Sequence, residues 1–353
     1  MESTSACVSI SSSKSTSLSQ PRSVTCSASS VQPFPTSSTP TPVTPAPPAE
    51  KDQLLPYASH TWRWRGHKIN YVTAGCGPPV LLVHGFGASV GHWKKNIPVL
   101  AEAGYKVYAL DLLGFGASDK AYLPKGYSME VWRDLVLDFM KEFVDKPVVL
   151  MGNSLGSLTC LMVSSAAPAG AIAGTVLLNA AGAMNNKGVV GDWRILAVYP
   201  LLLLIDFLLS IPALSGYLFN SFRTKDNLRQ VLGRVYVNQE AVDEALVDLL
   251  YGPSCDPGAR EVFVSVVTGP PGPKPWEVMP TIPGPMLVLW GDKDVFTPPD
   301  GPVGKYLQNL PSVRPNTTFQ FLTDVGHCLH DDRPEVVHAA LLPWLARVQG
   351  KAA

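Results

Sequence analysis

The chain has 353 residues, 46% of them hydrophobic and 16% charged, with 28 basic and 28 acidic side chains in balance. That length suits one large domain or a domain carrying an insertion. A zero formal charge without Lys/Arg clusters lacks the electrostatic footprint that binding a phosphate backbone requires, so nucleic acid is not expected as a partner.

Residues 1–49 differ from everything after them. Ser, Thr and Pro dominate, and Glu2 is the only acid before Glu50. Such a stretch cannot bury a core. An acid-poor, Ser-rich leader without a continuous apolar centre reads as a transit peptide rather than a secretory signal. Basic residues are few (Lys14 and Arg22), which suits a plastid leader, and Val24-Thr25-Cys26-Ser27 resembles a plastid processing site. The Pro/Thr-rich residues 33–48 would then be a linker, and the expected location is the chloroplast; an ordinary disordered tail is the alternative. Cys76, Cys160, Cys255 and Cys328 follow the leader with no C-x-x-C pair and no metal-ligand spacing. They read as reduced structural thiols, and neither a metal nor a cofactor is expected.

Residues 62–66 and 67–73 alternate as a short antiparallel hairpin would, and residues 79–84 form a buried apolar strand running into His84-Gly85-Phe86-Gly87. The Phe86 N–H of that loop is a candidate oxyanion donor, while His84 reads as a structural histidine holding the loop. A helix is expected over 91–103, then a strand over 105–110 ending in Asp111, a structural carboxylate. Gly114-Phe115-Gly116-Ala117-Ser118-Asp119 lacks the third glycine of a dinucleotide loop. A helix over 128–144 follows.

The pivotal stretch is 146–165. An apolar strand passes without a spacer into Gly152-Asn153-Ser154-Leu155-Gly156 and then into a helical pattern. That is a nucleophile elbow, with Ser154 as nucleophile and the Leu155 N–H as the other oxyanion donor. Gly87-Ala88-Ser89-Val90-Gly91 matches the same five-letter pattern, but it stands several residues beyond its strand and reads as a decoy.

After a strand over 174–180 the β/α alternation stops at Ala183 and resumes at 285–290. The gap is too long for a loop, so residues 183–280 are expected to be an inserted helical cap on a core made of 50–182 and 281–353. The expected class is therefore α/β, with a mostly parallel sheet covered on both faces. Within the cap, residues 195–214 are apolar enough to suggest a membrane span, with Asp206 near the middle. A single crossing would put Ser154 on one side of the bilayer and everything after the cap on the other. The segment is thus expected within the cap, in peripheral contact with a membrane surface or as an inner apolar wall, with Leu202 and Leu203 as substrate-binding residues. Past Trp290 come two acids, Asp292 and Asp294, and after a strand over 318–322 come Gly326 and His327, the expected base. His330 reads as facing elsewhere.

The order Ser, acid, His, each at a strand end, resembles the α/β-hydrolase superfamily from about Tyr57 onward. That resemblance implies the α/β-hydrolase fold and favours Asp294, which matches the acid in Trp290-Gly291-Asp292-Lys293-Asp294. Gly85-Phe86-Gly87-Ala88-Ser89 with His92-Trp93, the elbow, and Gly326-His327-Cys328 look like the plant pheophytinase and chlorophyll dephytylase group. The chain departs from that group at Ser157, where those enzymes commonly carry a second glycine. The resemblance implies a plastid serine carboxylesterase cutting a hydrophobic ester, most of all the phytyl ester of chlorophyll or pheophytin. A plastid acyl-lipid lipase is the alternative, and from a different class a hydrolase-fold small-molecule receptor with very slow turnover. Dehalogenases and epoxide hydrolases of the same fold need a carboxylate where Ser154 stands.

Overall fold

The computed structural model describes residues 57–188 and 192–350; the leader, processing site and linker expected in 1–49 lie outside the described residues. Strands β1 (Ala58–Trp64) and β2 (His67–Ala74) pair antiparallel across Arg65-Gly66. Both turn residues have positive φ, 48° and 88°, the geometry that matches a two-residue hairpin to strand twist.

Next come β3 (Pro79–Val83), α1 (Ile97–Glu102), β4 (Lys106–Leu110), α2 (Met129–Phe143), β5 (Val148–Asn153), α3 (Leu155–Ala166) and β6 (Ile172–Leu178). The helix expected over 91–103 is divided. A 3-10 turn spans Val90–Trp93, and α1 starts afresh at Ile97 because Pro98 has no N–H for a carbonyl one turn back and is tolerated only in a first turn.

Six helices separate β6 from the next strand: α4 (Trp193–Ser210), α5 (Pro212–Phe222), α6 (Lys225–Val235), α7 (Glu244–Ser254), α8 (Ala259–Thr268) and α9 (Pro275–Val278). The core then resumes with β7 (Met286–Gly291), α10 (Pro302–Val313), β8 (Thr317–Leu322), α11 (Leu329–Asp332) and α12 (Pro334–Val348).

The eight strands form one sheet in the order β1-β2-β4-β3-β5-β6-β7-β8, antiparallel as far as β4 and parallel beyond it. β3 is buried along its whole length, and its side chains alternate between two cores. Leu81 and Val83 join α2, α3 and α10, whereas Val80 and Leu82 join α1 and α12. This explains why the central strands read as unbroken apolar runs. The inserted helices carry a small core of their own, in which Leu228, Leu232 and Val235 of α6 meet Leu246 and Val247 of α7. The chain is thus an α/β-hydrolase fold, with the β5–α3 junction at the centre of the sheet and the insertion beyond β6.

Cys160 and Cys328 are free thiols, whereas Cys76 and Cys255 are disulfide-bonded, so the expectation of reduced thiols is corrected for the latter two.

Candidate active site

β5 ends at Asn153, and the chain turns into α3 through Ser154 at φ 54°, ψ −117°. An L-residue adopts that backbone only under strain, and only neighbours that over-determine it keep it there. Two glycines supply the tightness. A Cβ on Gly152 would lie 2.3 Å from the Gly156 carbonyl oxygen, and one on Gly156 would lie 2.1 Å from the Val83 oxygen. The turn can therefore press α3 against β3 only with glycine at both places. Ser157 tightens it further: its Oγ donates to the Gly152 carbonyl at 2.6 Å and accepts the Leu178 N–H at 3.1 Å. The Ser157 hydroxyl is thus buried and fully used.

The loop after β3 crosses directly over Ser154, since a Cβ on Gly85 would sit 3.2 Å from the Ser154 Cβ. His84 holds that loop. Its Nδ1–H donates to the Gly85 carbonyl at 2.7 Å and its Nε2 accepts the Leu112 N–H at 3.0 Å. Burial pushes this imidazole below its ordinary pKa, which keeps it neutral and able to play both roles. Phe86, next in the loop, is 41% exposed and packs edge-on against Phe115. Among the described residues no protein acceptor faces the Phe86 or the Leu155 N–H. Two free donors beside a strained serine are what an oxyanion needs. The competing motif behaves differently: Ser89 is 4% exposed, has extended backbone at φ −155°, and its Oγ accepts the Gly91 N–H to cap the 3-10 turn.

Asp294, three residues beyond β7, and His327, five beyond β8, meet at 2.8 Å between Oδ2 and Nδ1. The carboxylate is further fixed by the Phe296 and Thr297 N–H groups on Oδ1 and the Thr297 hydroxyl on Oδ2. Since a carboxylate can only accept here, His327 Nδ1 carries the proton and Nε2 is left as the basic nitrogen. Asp292 lies apart from His327; it faces the Val325 N–H and Lys293. His330 is buried against Trp93 with ring centroids 4.0 Å apart, and neither ring nitrogen has a partner.

Several residues that hold this geometry went unnoticed in the sequence. Asn153 Nδ2 and Asn179 Nδ2 both donate to the His327 carbonyl, at 3.1 and 2.9 Å, and Asn179 Oδ1 accepts the Gly291 N–H. Each stands at a strand end, β5 and β6, so the carbonyl of the histidine is clamped from the strands beside it. Asp332 accepts the Gly326 N–H at 2.7 Å and the Asn238 N–H at 2.8 Å, tying the histidine loop to the insertion. Phe296 packs on the His327 ring at 5.3 Å. The one available signal was Asn at the second position of the elbow motif. Cys328 offers no chemistry, because burial pushes its thiol up to about 12.

Leu202 and Leu203 are not a buried wall. Leu203 is 50% exposed, Leu202 is half-buried, and Leu209 alone of α4 is buried. The helix is apolar on all sides but packs mainly against α5, α8 and the 3-10 turn before it, so most of its surface faces outward. Among the described residues no group of three or more His, Cys, Asp or Glu is placed to hold a metal ion.

A family model described as "Alpha/beta hydrolase family" matches residues 80–340. "Pheophytinase, chloroplastic" of Arabidopsis thaliana is 22% identical over 322 residues, covering 80% of this chain and 65% of the relative, so the chain spans about two thirds of that protein's length. A "2-hydroxy-6-oxo-6-(2'-aminophenyl)hexa-2,4-dienoic acid hydrolase" of Metapseudomonas resinovorans is 26% identical over 301 residues, covering 80% and 89% of the two chains. Among solved structures, a "Serine Hydrolase Involved in the Carbazole Degradation (CarC enzyme)" superposes with TM-score 0.63 at 23% identity over 82% of this chain and 99% of that one, a likeness of fold.

Proposed function

The chain belongs to the alpha/beta hydrolase family, and from that premise we propose that it is a serine carboxylesterase with Ser154 as nucleophile, His327 as base and Asp294 as the acid that orients it. The observation that carries this reading is the Asp294–His327 bond at 2.8 Å, at the strands' carboxyl ends where Ser154 is held at φ 54° beneath the Gly85 loop. Nε2 of His327 takes the Ser154 proton as Oγ attacks the ester carbonyl. The carbonyl oxygen becomes an oxyanion received by the Phe86 and Leu155 amides. Collapse of that intermediate expels the alcohol, which leaves with the proton from His327, and the acyl group remains on Ser154. Water then attacks the acyl enzyme, again deprotonated by His327, and releases the carboxylic acid.

The substrate we assign is a hydrophobic ester of the plastid, the phytyl ester of chlorophyll or pheophytin. Support comes from the plastid-type leader, from the similarity to a chloroplastic pheophytinase and from the exposed aromatic ring of Phe86, in the loop beside Ser154, which packs on Phe115 and Phe263. A phytyl chain buried there would contribute about 0.8 kcal/mol per methylene, enough to bind without a charged anchor. The test is incubation of the purified chain with chlorophyll, pheophytin, galactolipid and a short-chain ester, with Ser154→Ala as control. Free phytol from pigment, absent with the variant, is expected. Fatty acid from galactolipid without phytol would move the substrate to acyl lipids. Tight ligand binding with no ester turned over would make the protein a receptor.

A further inference from the structure

We propose that α4 and α5 form a docking face for a lipid bilayer, into which α4 sinks without crossing it. This rests on the esterase reading only in orienting the site towards the lipid; the docking itself is independent of catalysis.

α4 is the one helix among the described residues long and apolar enough to cross a membrane, yet it is not packed inside the protein. Trp193, Leu196, Leu201, Leu204 and Phe207 are each at least half exposed. An apolar patch of this kind on a soluble surface calls for a partner. Its charges decide the partner's nature. From 193 to 222 the chain carries only Arg194 and Asp206. Both are neutralised from within: Asp206 lies 2.6 Å from Lys187, and Arg194 lies 2.8 Å from Asp192 and 3.0 Å from Asp300. Each charge on this helix is paired, which lowers the cost of bringing it against an apolar phase, while exposed Asp300 keeps the start of the helix on the aqueous side.

A second copy of the chain fits less well. Leu196, Leu203 and Phe207 share one face of α4, Leu204 lies about a quarter-turn and Leu201 more than a third of a turn round from it, so the exposed apolar surface is broader than a single narrow stripe. A two-fold interface covers one face of a helix, whereas lipid can cover every part that the protein leaves open. Crossing is ruled out by topology, because β5 with Ser154 precedes α4 and β7 and β8 follow it in the same sheet.

The face is continuous with the site. Arg194 ties the start of α4 to Asp300, six residues beyond Asp294. On α5, exposed Phe222 packs at 5.4 Å on Phe263, which in turn packs at 6.1 Å on Phe86 above Ser154. Aromatic contacts therefore link the docking face to the loop that passes over Ser154, the side from which a hydrophobic ester leaving the bilayer would arrive.

The test is flotation of the full chain with pigment-free phosphatidylcholine vesicles, comparing wild type, Ser154→Ala and the double variant Leu196→Asp/Phe207→Asp. Wild type and Ser154→Ala should float and stay bound in high salt, while the double variant should lose binding by at least about tenfold. Its turnover of a short-chain soluble ester should equal wild type, which also reports that it is folded; Leu204→Lys provides a second, separate disruption. The proposal is overturned if wild type stays with the soluble fraction, if both variants float as wild type does, if only anionic vesicles bind and salt releases them, or if wild type is a dimer that the substitutions dissociate without any vesicle binding. A wild type that floats but turns over no ester would sink the esterase reading and leave the docking face intact.

Discussion

Four donors converge on the Asp294 carboxylate, from the Phe296 and Thr297 amides, the Thr297 hydroxyl and His327 Nδ1. That arrangement fixes which way the imidazole points and which nitrogen is basic. Asp294→Asn should therefore lower kcat on a short ester by about three to four orders of magnitude, through loss of the correct tautomer, with KM little changed. Asp292→Asn should change kcat less than about threefold, since among the described residues no hydrogen bond or ion pair links Asp292 to His327. Steady-state kinetics of the two variants decides between the acids. Spacing alone did not separate them, because both follow Trp290 within four residues and the loop's course, not its composition, aims the side chain. Asn153 and Asn179 were illegible for a related reason. Each acts on the His327 carbonyl across more than a hundred residues of sequence, with no periodicity to mark it. The difference between Ser154 and Ser89 was legible because strand and helix flank only Ser154, and their backbones differ too, φ 54° against −155°.

Among the elements, the elbow tolerates least. Gly156→Ala would thrust a methyl group to 2.1 Å from the Val83 carbonyl oxygen, backbone that cannot step aside. We expect a loss of about 3 kcal/mol or more, read as a collapse of soluble yield or a fall in melting temperature. The 3-10 turn at Val90–Trp93 gives a pH dependence. Burial lowers His92 from 6.5 to about 4, and its Nδ1 accepts the Ser89 N–H as a neutral ring must. The unfolded chain then binds the proton first as pH falls. Stability is full above about 6.5, declines between about 6.5 and 4, and levels off below that on this group's account. Burial also pushes His330 well below its usual value, so it adds in the same direction. Urea midpoints measured from pH 7.5 to 4.5 should fall with acid, and His92→Gln should flatten the decline; an unchanged slope in that variant would remove His92 as a cause. The parallel strands were readable as apolar runs, since burial on both faces erases alternation. The orientation of α4 was not, because a helix apolar on all sides carries no moment to show which side faces the protein.

At the scale of the whole molecule, the insertion between β6 and β7 separates the strand that leads into Ser154 from the later strands that lead to Asp294 and His327. Its helices are bound back to the core by apolar packing, with Val262 and Val266 of α8 in the main core, and by polar ties. Asp332 holds the Val237 and Asn238 amides, and Tyr236 donates to Asp331 at 2.9 Å. Loss of these ties should disturb the histidine loop without touching the triad. Asp332→Ala is expected to lower both stability and kcat, with His327→Ala and Asp332→Ala less than additive in kcat because they act on one group. The existence of the insertion followed from the broken β/α alternation, but its attachment could not, since it depends on side chains meeting across 94 or 95 positions.

The most direct measurement is covalent labelling of the purified chain with a fluorophosphonate, followed by peptide mass spectrometry. A single adduct on the peptide bearing Ser154 is expected, formed slowly or not at all in His327→Ala and Asp294→Asn. An adduct on Ser89, or ester hydrolysis that persists with Ser154 unlabelled, would contradict the assignment of the nucleophile.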